Sequence, residues 1–446
     1  MKRVLFLFPN EWDREELQRH YPQHGIEIIF EGFDRQHFSE RLRLLSFKPE
    51  RFVEQMVSRY AGKIDGVTSN DDHFGALLAA IVAKRLGLPG NDPESIVRCQ
   101  HKAWMRSATI DPFPHQTPLF WELEQPLGHK ATQAVRYPVW VKPVKSSFSI
   151  LARKVQTAQE LRSAARFSWY ERVAQRVLLG PVEQLFRLAS PALTRSKTPG
   201  FLSALIAETP LHGQQINVDG YVDQEGVHVL GVADSIMYPG THAFARFQTP
   251  SRLRPKEVDA VTSSAKAIIK SLGYRHGFFN LEAMVRTHPE TSAVEIGWIE
   301  ANARMARQLA SLYEASAGLN FWKILMNLAL GESTAALRTP VSTTKVAASF
   351  VSRSFAGRPT DPEPSAHQIE QARIRFPQAR MFLYFKPHGM GFHREMKWVG
   401  SYRYAVINLS AENMHQLESD YQSLMDLFGW QSTGQFNDAL ASSQPT

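Results

Sequence analysis

The 446-residue sequence predicts a mixed α/β and α+β protein: an open, mostly parallel sheet, then a large antiparallel region, then a small α+β unit. Three observations predict it. Short apolar runs alternate with helical patterns over the first hundred residues, the βαβ arrangement of a parallel sheet. From Tyr137 the runs are longer and more polar connections join them, as in antiparallel strands. After Pro340 a separate set of strands precedes one amphipathic helix. The domains expected from these changes are 1–105, 106–335 with a hinge near 206–208, and 340–440.

Each element has a local cause. Val4 to Phe8, Ile26 to Phe30 and Gly66-Val67-Thr68 are the apolar runs of the first sheet. Phe52, Val53, Met56, Val57 and Tyr60 recur at helical spacing, and the Ala/Leu-rich stretch Gly75 to Leu86 meets its stop at Gly87. The next strands are Pro138 to Val141, Ile216 to Val222, Val227 to Ala233, Phe278 to Val285 and Val294 to Ile299. Between them, Val258, Val261, Ala265, Ile268, Ile269 and Leu272 mark a helix ending at Gly273, and Leu309 to Leu330 reads as a helix broken around Gly318. Phe167 to Leu193 reads as one or two amphipathic helices, cut by Pro181 and Pro191 and packed on the central domain. In the last unit Lys345 to Ser354, Met381 to Lys386 and Tyr402 to Leu409 are strands. Ser410 is the expected cap of a helix with the apolar face Met414, Leu417, Tyr421, Leu424 and Phe428. The proline-rich stretch Arg358 to Pro364 is expected to be an exposed linker, and 442–446 a disordered tail.

Composition narrows the function. With 43% hydrophobic, 11% aromatic and 21% charged residues the chain is expected to fold, and its length implies more than one core. The apolar stretch behind Met1-Lys2-Arg3 ends at Pro9, too short for a secretory signal, and no run approaches the ~18 residues of a membrane span. A single cysteine, Cys99, excludes an internal disulfide and a cysteine-based zinc site, so a cytoplasmic location is expected. The net charge of +8 attracts phosphate. Because the Lys and Arg residues form neither a block nor a ribbon interleaved with aromatics, the expected anion is a small ligand and not a nucleic acid. Neither GxGxxG nor GxxxxGK[ST] occurs, so a bound nucleotide would be held by another device.

The chemistry concentrates in Glu300-Ala301-Asn302-Ala303-Arg304. In an extended chain alternate side chains share a face, so Glu300, Asn302 and Arg304 point one way. A hairpin with the preceding strand would set Glu282 beside them. Two carboxylates and a carboxamide suit Mg²⁺, a hard cation completed by phosphate oxygens and water. Lys142 closes the apolar strand Pro138 to Val141, and Lys102 follows Leu88-Pro89-Gly90; an ammonium in a cleft is a point charge suited to phosphate.

Over residues 1–330 these pieces resemble the ATP-grasp superfamily, and within it the carboxylate-amine ligases that include the L-amino acid ligases. The matching motifs are Leu88-Pro89-Gly90 with Lys102, Val139-Trp140-Val141-Lys142-Pro143, Ile206-Ala207-Glu208 with Asn217-Val218-Asp219-Gly220, Asn280-Leu281-Glu282, and Ile299 to Arg304. The resemblance implies an ATP-grasp fold and a cytoplasmic ADP-forming ligase that joins a small carboxylate to an amine, such as an amino acid or peptide, through an acyl phosphate. It implies ATP with Mg²⁺, or Mn²⁺ in its place, and admits a homodimer. Lys102 and Lys142 would meet the phosphates, and Ala207 and Glu208 the adenine edge. Glu282, Glu300 and Asn302 would hold the metal, and Arg304 would face the acyl phosphate. The loop from Val144 to Ser149 would close over the phosphates; it has no glycine, so Lys145, Ser146 and Ser147 would supply the donors. Gln215 stands where a ribose-binding glutamate is often found. His388 and His393 lie in a glycine-rich turn that is a second candidate lid. The alternatives are an ATP-grasp enzyme acting on a peptide or protein carboxylate, and a nucleotide-binding regulator that has lost turnover.

Overall fold

The computed structural model describes residues 1–21, 25–34, 42–124, 127, 132–145, 152–341, 345–355, 361–385 and 400–430. Several expectations lie outside those residues: Ser146 and Ser147, the rest of the loop to Ser149, His388 and His393, residues 358–360 of the linker, and the tail. The rest of the linker is not wholly exposed as expected: Asp361 and Pro364 are buried, and Asp361 accepts from the Tyr404 hydroxyl.

The chain begins with β1 (Lys2–Leu7), α1 (Glu11–His20), β2 (Ile26–Glu31), α2 (Pro49–Tyr60), β3 (Gly66–Thr68) and α3 (Gly75–Leu86). The strands pair in parallel in the order β2-β1-β3, as the alternation of apolar and helical patterns requires. Gly87 ends α3 in the left-handed conformation, φ 68°, and takes over its last carbonyls. Two short helices follow, α4 (Pro93–Gln100) and α5 (Lys102–Thr109).

A small sheet comes next, built from β4 (Phe120–Leu123), β5 (Val139–Pro143) and β6 (Arg153–Val155), then α6 (Ala158–Ala164), α7 (Trp169–Ala189) and β7 (Leu205–Glu208). Its strand order is β4-β7-β5-β6. Helix α7 is one continuous helix through Pro181, where a cut was expected. Its inward face, Val182, Leu185 and Phe186, is fully buried and packs on α2, α3 and α4 of the first unit. This tertiary burial outweighs the backbone hydrogen bond that proline forfeits.

The large sheet starts with β8 (Gln214–Asp223), β9 (Gly226–Met237), β10 (Phe244–Thr249), α8 (Pro255–Ser271), β11 (Gly277–Thr287) and β12 (Val294–Asn302), followed by α9 (Arg307–Ala317) and α10 (Phe321–Leu330). Helix α10 is buried nearly all round. It lies between the parallel sheet and β11, so close to β3 that a Cβ on Gly66 would stand 2.3 Å from the Ala329 carbonyl oxygen. The C-terminal elements are β13 (Val346–Ser354), α11 (Ala366–Arg375), β14 (Arg380–Leu383), β15 (Tyr402–Ala411) and α12 (Met414–Phe428). Their strands continue the large sheet, whose order is β12-β11-β8-β9-β10-β13-β15-β14, while α12 and α11 cover a hydrophobic cluster of their own around Phe350, Leu417 and Trp430. Asn413, not Ser410, caps α12: it accepts from the Gln416 amide, and Ser410 is still within β15. Among the described residues no helix is long and apolar enough to cross a membrane.

One buried ion cluster ties three of these parts together. Arg106 on α5 is fully buried; its Nε donates to Glu208 Oε1 on β7 at 2.6 Å, and its Nη2 donates to the Ile299 carbonyl on β12 at 2.5 Å. Lys142 on β5 meets the other Glu208 oxygen at 2.6 Å. Burial by itself would raise the Glu208 pKa, but Arg106 and Lys142 hold it down to about 2.

Glu208→Gln is expected to destabilise the protein at pH 7 by about 3–5 kcal/mol, because two buried cations lose their counter-charge. The folded pKa of Glu208 is below its unfolded value, so its contribution is present above the ordinary 4.5 and is lost as pH falls through about 2. Urea denaturation of wild type and variant over that window should show the gap narrowing with acidification; a constant gap would assign the effect to packing.

Candidate active site

The hairpin β11–β12 places the acidic residues in register. Glu282 stands opposite Glu300 and Asn280 opposite Asn302, and on the other side Asn280 stands opposite Asp219 and Glu282 opposite Asn217 of β8. Directly paired residues share a face, so Glu282, Glu300 and Asn302 form one cluster. Burial, and then Glu300 beside it, push the Glu282 carboxyl up to about 8. Glu300 moves the other way: burial opposes its charge, but the Lys102 and Lys142 ammonium groups win and bring its pKa below the ordinary range. Gln215 Nε2 donates to Glu282 Oε2 at 3.1 Å, so this side chain meets the acidic cluster. Asn302 Nδ2 donates to Asn280 Oδ1 at 3.3 Å.

Lys102 opens α5 and is nearly buried, with its Nζ 3.1 Å from Glu300 Oε2. Its position is built by its neighbours. His101 accepts from the Trp104 amide through Nδ1 and stacks on the Trp104 ring, and the Lys102 amide donates to the Val144 carbonyl just beyond β5. Lys142 is held at Glu208, and burial lowers its pKa. Lys145 is buried and faces the first unit: its Nζ donates to the Asp72 carbonyl at 3.2 Å and lies 3.6 Å from Asp72 Oδ2. Burial lowers the pKa of Lys145 as well. The loop carrying Asp72 is rigidly set at the end of β3. Ser69 Oγ donates to the Leu7 carbonyl, Asp71 Oδ1 accepts three amides at the start of α3, and Gln100 Nε2 donates to the Asp72 carbonyl.

Arg304 follows the acidic pair and is partly buried; among the described residues no hydrogen bond or ion pair occupies it. The nearby Arg307 is taken by Asp13 at 2.6 Å. Ala207 and Glu208 lie on β7 between β4 and β5 and are buried, so the Glu208 side chain faces Lys142 and Arg106. On the same face of β5 as Lys142, Trp140 meets His242 of the β9–β10 connection edge-on, ring centroids 4.7 Å apart, and there the small and large sheets touch.

The structure thus brings Lys102, Lys142, Lys145, Gln215, Glu282, Glu300, Asn302 and Arg304 into one region between the two sheets and the first unit. Reasoning from sequence missed Arg106, Asp72, Asn280 and Asp219. Arg106 was within reach, being one helical turn after Lys102, and Asn280 and Asp219 lie inside matched motifs. Asp72 carries no local signal. Asp219 is fully buried, accepts from Asn280 Nδ2 at 3.0 Å and Tyr313 Oη at 3.1 Å, and burial pushes its pKa up to about 7. Among the described residues no three His, Cys, Asp or Glu side chains are grouped closely enough to hold a metal ion by themselves.

No family model matches the sequence, and no curated protein matches it significantly. Solved structures do match. The L-amino acid ligase from Bacillus licheniformis superposes with a TM-score of 0.67 at 17% identity, covering 96% of this chain and 97% of that one. Biotin carboxylase from Campylobacter jejuni, in a β-γ-ATP complex, gives 0.63 at 13% identity over 95% and 90% of the two chains. Carboxyaminoimidazole ribonucleotide synthase from Aspergillus clavatus, complexed with ATP, gives 0.60 at 13% identity over 96% and 98%. The likeness runs over nearly the whole length of this chain, and its fold is the ATP-grasp fold.

Proposed function

We propose that the chain is an ATP-dependent ligase that joins a carboxylate to an amine through an acyl phosphate. The observation that carries this reading is the pairing of Glu282 with Glu300 across β11 and β12, with Asn302 beside them and Lys102, Lys142, Lys145 and Arg304 around them. Two acidic side chains held against each other at the cost of a raised pKa form a site that gains from a divalent cation. Glu282, Glu300 and Asn302 fit Mg²⁺, or Mn²⁺ in its place: two carboxylates and a carboxamide leave coordination positions for phosphate oxygens and water. Bound there, the ion supplies neutralisation of the charge on the transferring phosphoryl group.

The remaining chemistry falls to the protein's cations. A carboxylate approaching a γ-phosphate meets anionic repulsion, which Lys102, Lys142 and Lys145 offset while they hold the groups in line. The carboxylate oxygen bonds to phosphorus, ADP leaves, and the amine then displaces phosphate from the acyl carbon. Arg304, which carries no hydrogen bond or ion pair among the described residues, stabilises the oxyanion that develops at that carbon. Ala207 and Glu208 border the adenine. Gln215 orients Glu282 in this reading, and a ribose contact is secondary to that role. The acid and the amine are small molecules of amino-acid or peptide type, an assignment supported by the likeness to the L-amino acid ligase. A second reading, action on a peptide or protein carboxylate, draws on the exposed Trp169 and Val173 side by side on α7.

Phosphate release from ATP should require Mg²⁺, an added carboxylate and an amine together; screening amino acids and peptides in pairs tests this. With hydroxylamine as the amine, the acyl phosphate should be trapped as a hydroxamate. ATP turnover with no carboxylate dependence would refute the reading. Glu300→Gln should reduce turnover by at least about 100-fold with an unchanged circular dichroism spectrum; near-normal turnover would remove Glu300 from the metal site.

A further inference from the structure

Between the first unit and the large sheet lies a narrow cavity of about 60 Å³. One face of α3, Ala76, Ala79 and Ala80, and one face of α10, Leu325, Leu328 and Ala329, line it. Both sets stand at the i, i+3, i+4 spacing that gathers side chains on one side of a helix. The α3 face is all alanine, and larger side chains there would fill the space.

Arg304 is the one ionised side chain of the lining, and it carries no hydrogen bond or ion pair among the described residues. His276 also lines the cavity, but burial lowers its pKa, and its Nε2 donates to the Leu328 carbonyl at 2.9 Å. Ser69 and Tyr274 are likewise committed, their hydroxyls donating to the Leu7 and Phe278 carbonyls at 2.6 and 2.5 Å. No carboxylate belongs to the lining. The cavity adjoins the acidic cluster through the chain itself. Ala303 and Arg304, both on its lining, directly follow Asn302, and Ser69 stands shortly before Asp72, the partner of Lys145. Arg304 is close enough to Glu282 to lower that carboxyl's pKa against the effect of burial.

A carboxylate whose acyl carbon faces Arg304 must send its remaining substituent somewhere. A charged substituent entering this cavity would give up its water for mostly apolar walls, whereas an alkyl group gains from the same burial. The volume is that of roughly two water molecules, which suits about two or three carbon atoms.

We propose that the cavity receives the side chain of the acid being activated and selects a short aliphatic one, with the alanines of α3 and Leu328 of α10 setting the length it accepts. The proposal rests on reading Arg304 as the residue that faces the acyl carbon.

The test uses the full chain with ATP, Mg²⁺ and hydroxylamine as the amine, so that only the acid varies. Hydroxamate formation is measured for glycine, alanine, 2-aminobutyrate, norvaline and norleucine, and for aspartate and lysine. From glycine to 2-aminobutyrate or norvaline kcat/KM should rise at least about 10-fold, the scale of one methylene in an apolar pocket. Norleucine, aspartate and lysine should fall below that optimum by a similar factor. Ala79→Val narrows the cavity and should lower the norvaline-to-glycine ratio of kcat/KM about 10-fold or more. Leu328→Ala widens it and should move the optimum to norleucine. A general loss of stability would lower all acids alike and cannot produce these opposite shifts. If one variant yields no soluble protein, the other and the wild-type series decide. Hydroxamate formation with a flat series, or with aspartate or lysine preferred, overturns the inference and leaves the ligase reading standing. So do variants that change every acid in the same proportion. No hydroxamate from any acid would end the acyl-phosphate reading, and the inference with it.

Discussion

The structure depends on a guanidinium buried between two sheets. Arg106 cannot shed its charge, so a place with no water must supply acceptors on several sides. It finds them on β7 through Glu208 and on β12 through the Ile299 carbonyl. The second Glu208 oxygen then takes Lys142. One carboxylate thereby sets the distance between α5, the small sheet and the strand that carries Glu300. The same contacts put Lys102, one turn earlier on α5, within 3.1 Å of Glu300. The groups that hold the lobes in place are thus the neighbours of those assigned to the nucleotide under the proposed function.

A second consequence concerns charge. Each lysine of the region has an acid for company: Lys102 has Glu300, Lys142 has Glu208, and Lys145 has Asp72. Burying unpaired ammonium groups would be costly, so the cleft balances itself from within. Under the proposed function, a polyanion arriving with a divalent cation would exchange partners with these pairs, and the balanced charge would limit the desolvation cost of binding. Asp72 gives this exchange a reach beyond the two sheets, because it belongs to the first unit.

Much of this could be read from the chain. The alternation of Glu300 with Asn302 and the hairpin to Glu282 follow from strand periodicity, and the register confirms them; Arg304 lies beyond the end of β12, where the chain bends, so the expected alternation does not reach it. Gly87 and Gly318 end helices as their lack of a side chain suggests. What escaped was non-local. Arg106 looks like any solvated helix residue until β7 and β12 close on it. Asp72 is a loop aspartate whose partner is far along the chain. Pro181 misled because packing on a different unit overrode a local rule, and Ser410 because β15 runs on to Ala411, which moves the cap to Asn413. Strand β10 escaped because Arg246 and Gln248 are buried there by neighbours on both sides, so its sequence lacks an apolar run.

The pairing of β10 with β13 has a further implication. Because the last strands extend the same ladder that holds the acidic cluster, the C-terminal strands are hydrogen-bonded into that sheet and are not a detached flap. It also shields a backbone edge. A chain ending before Val346 would leave the amide and carbonyl groups of β10 bare, a ready template for another copy. The final segment thus moves the open edge of the sheet from β10 to the four-residue β14.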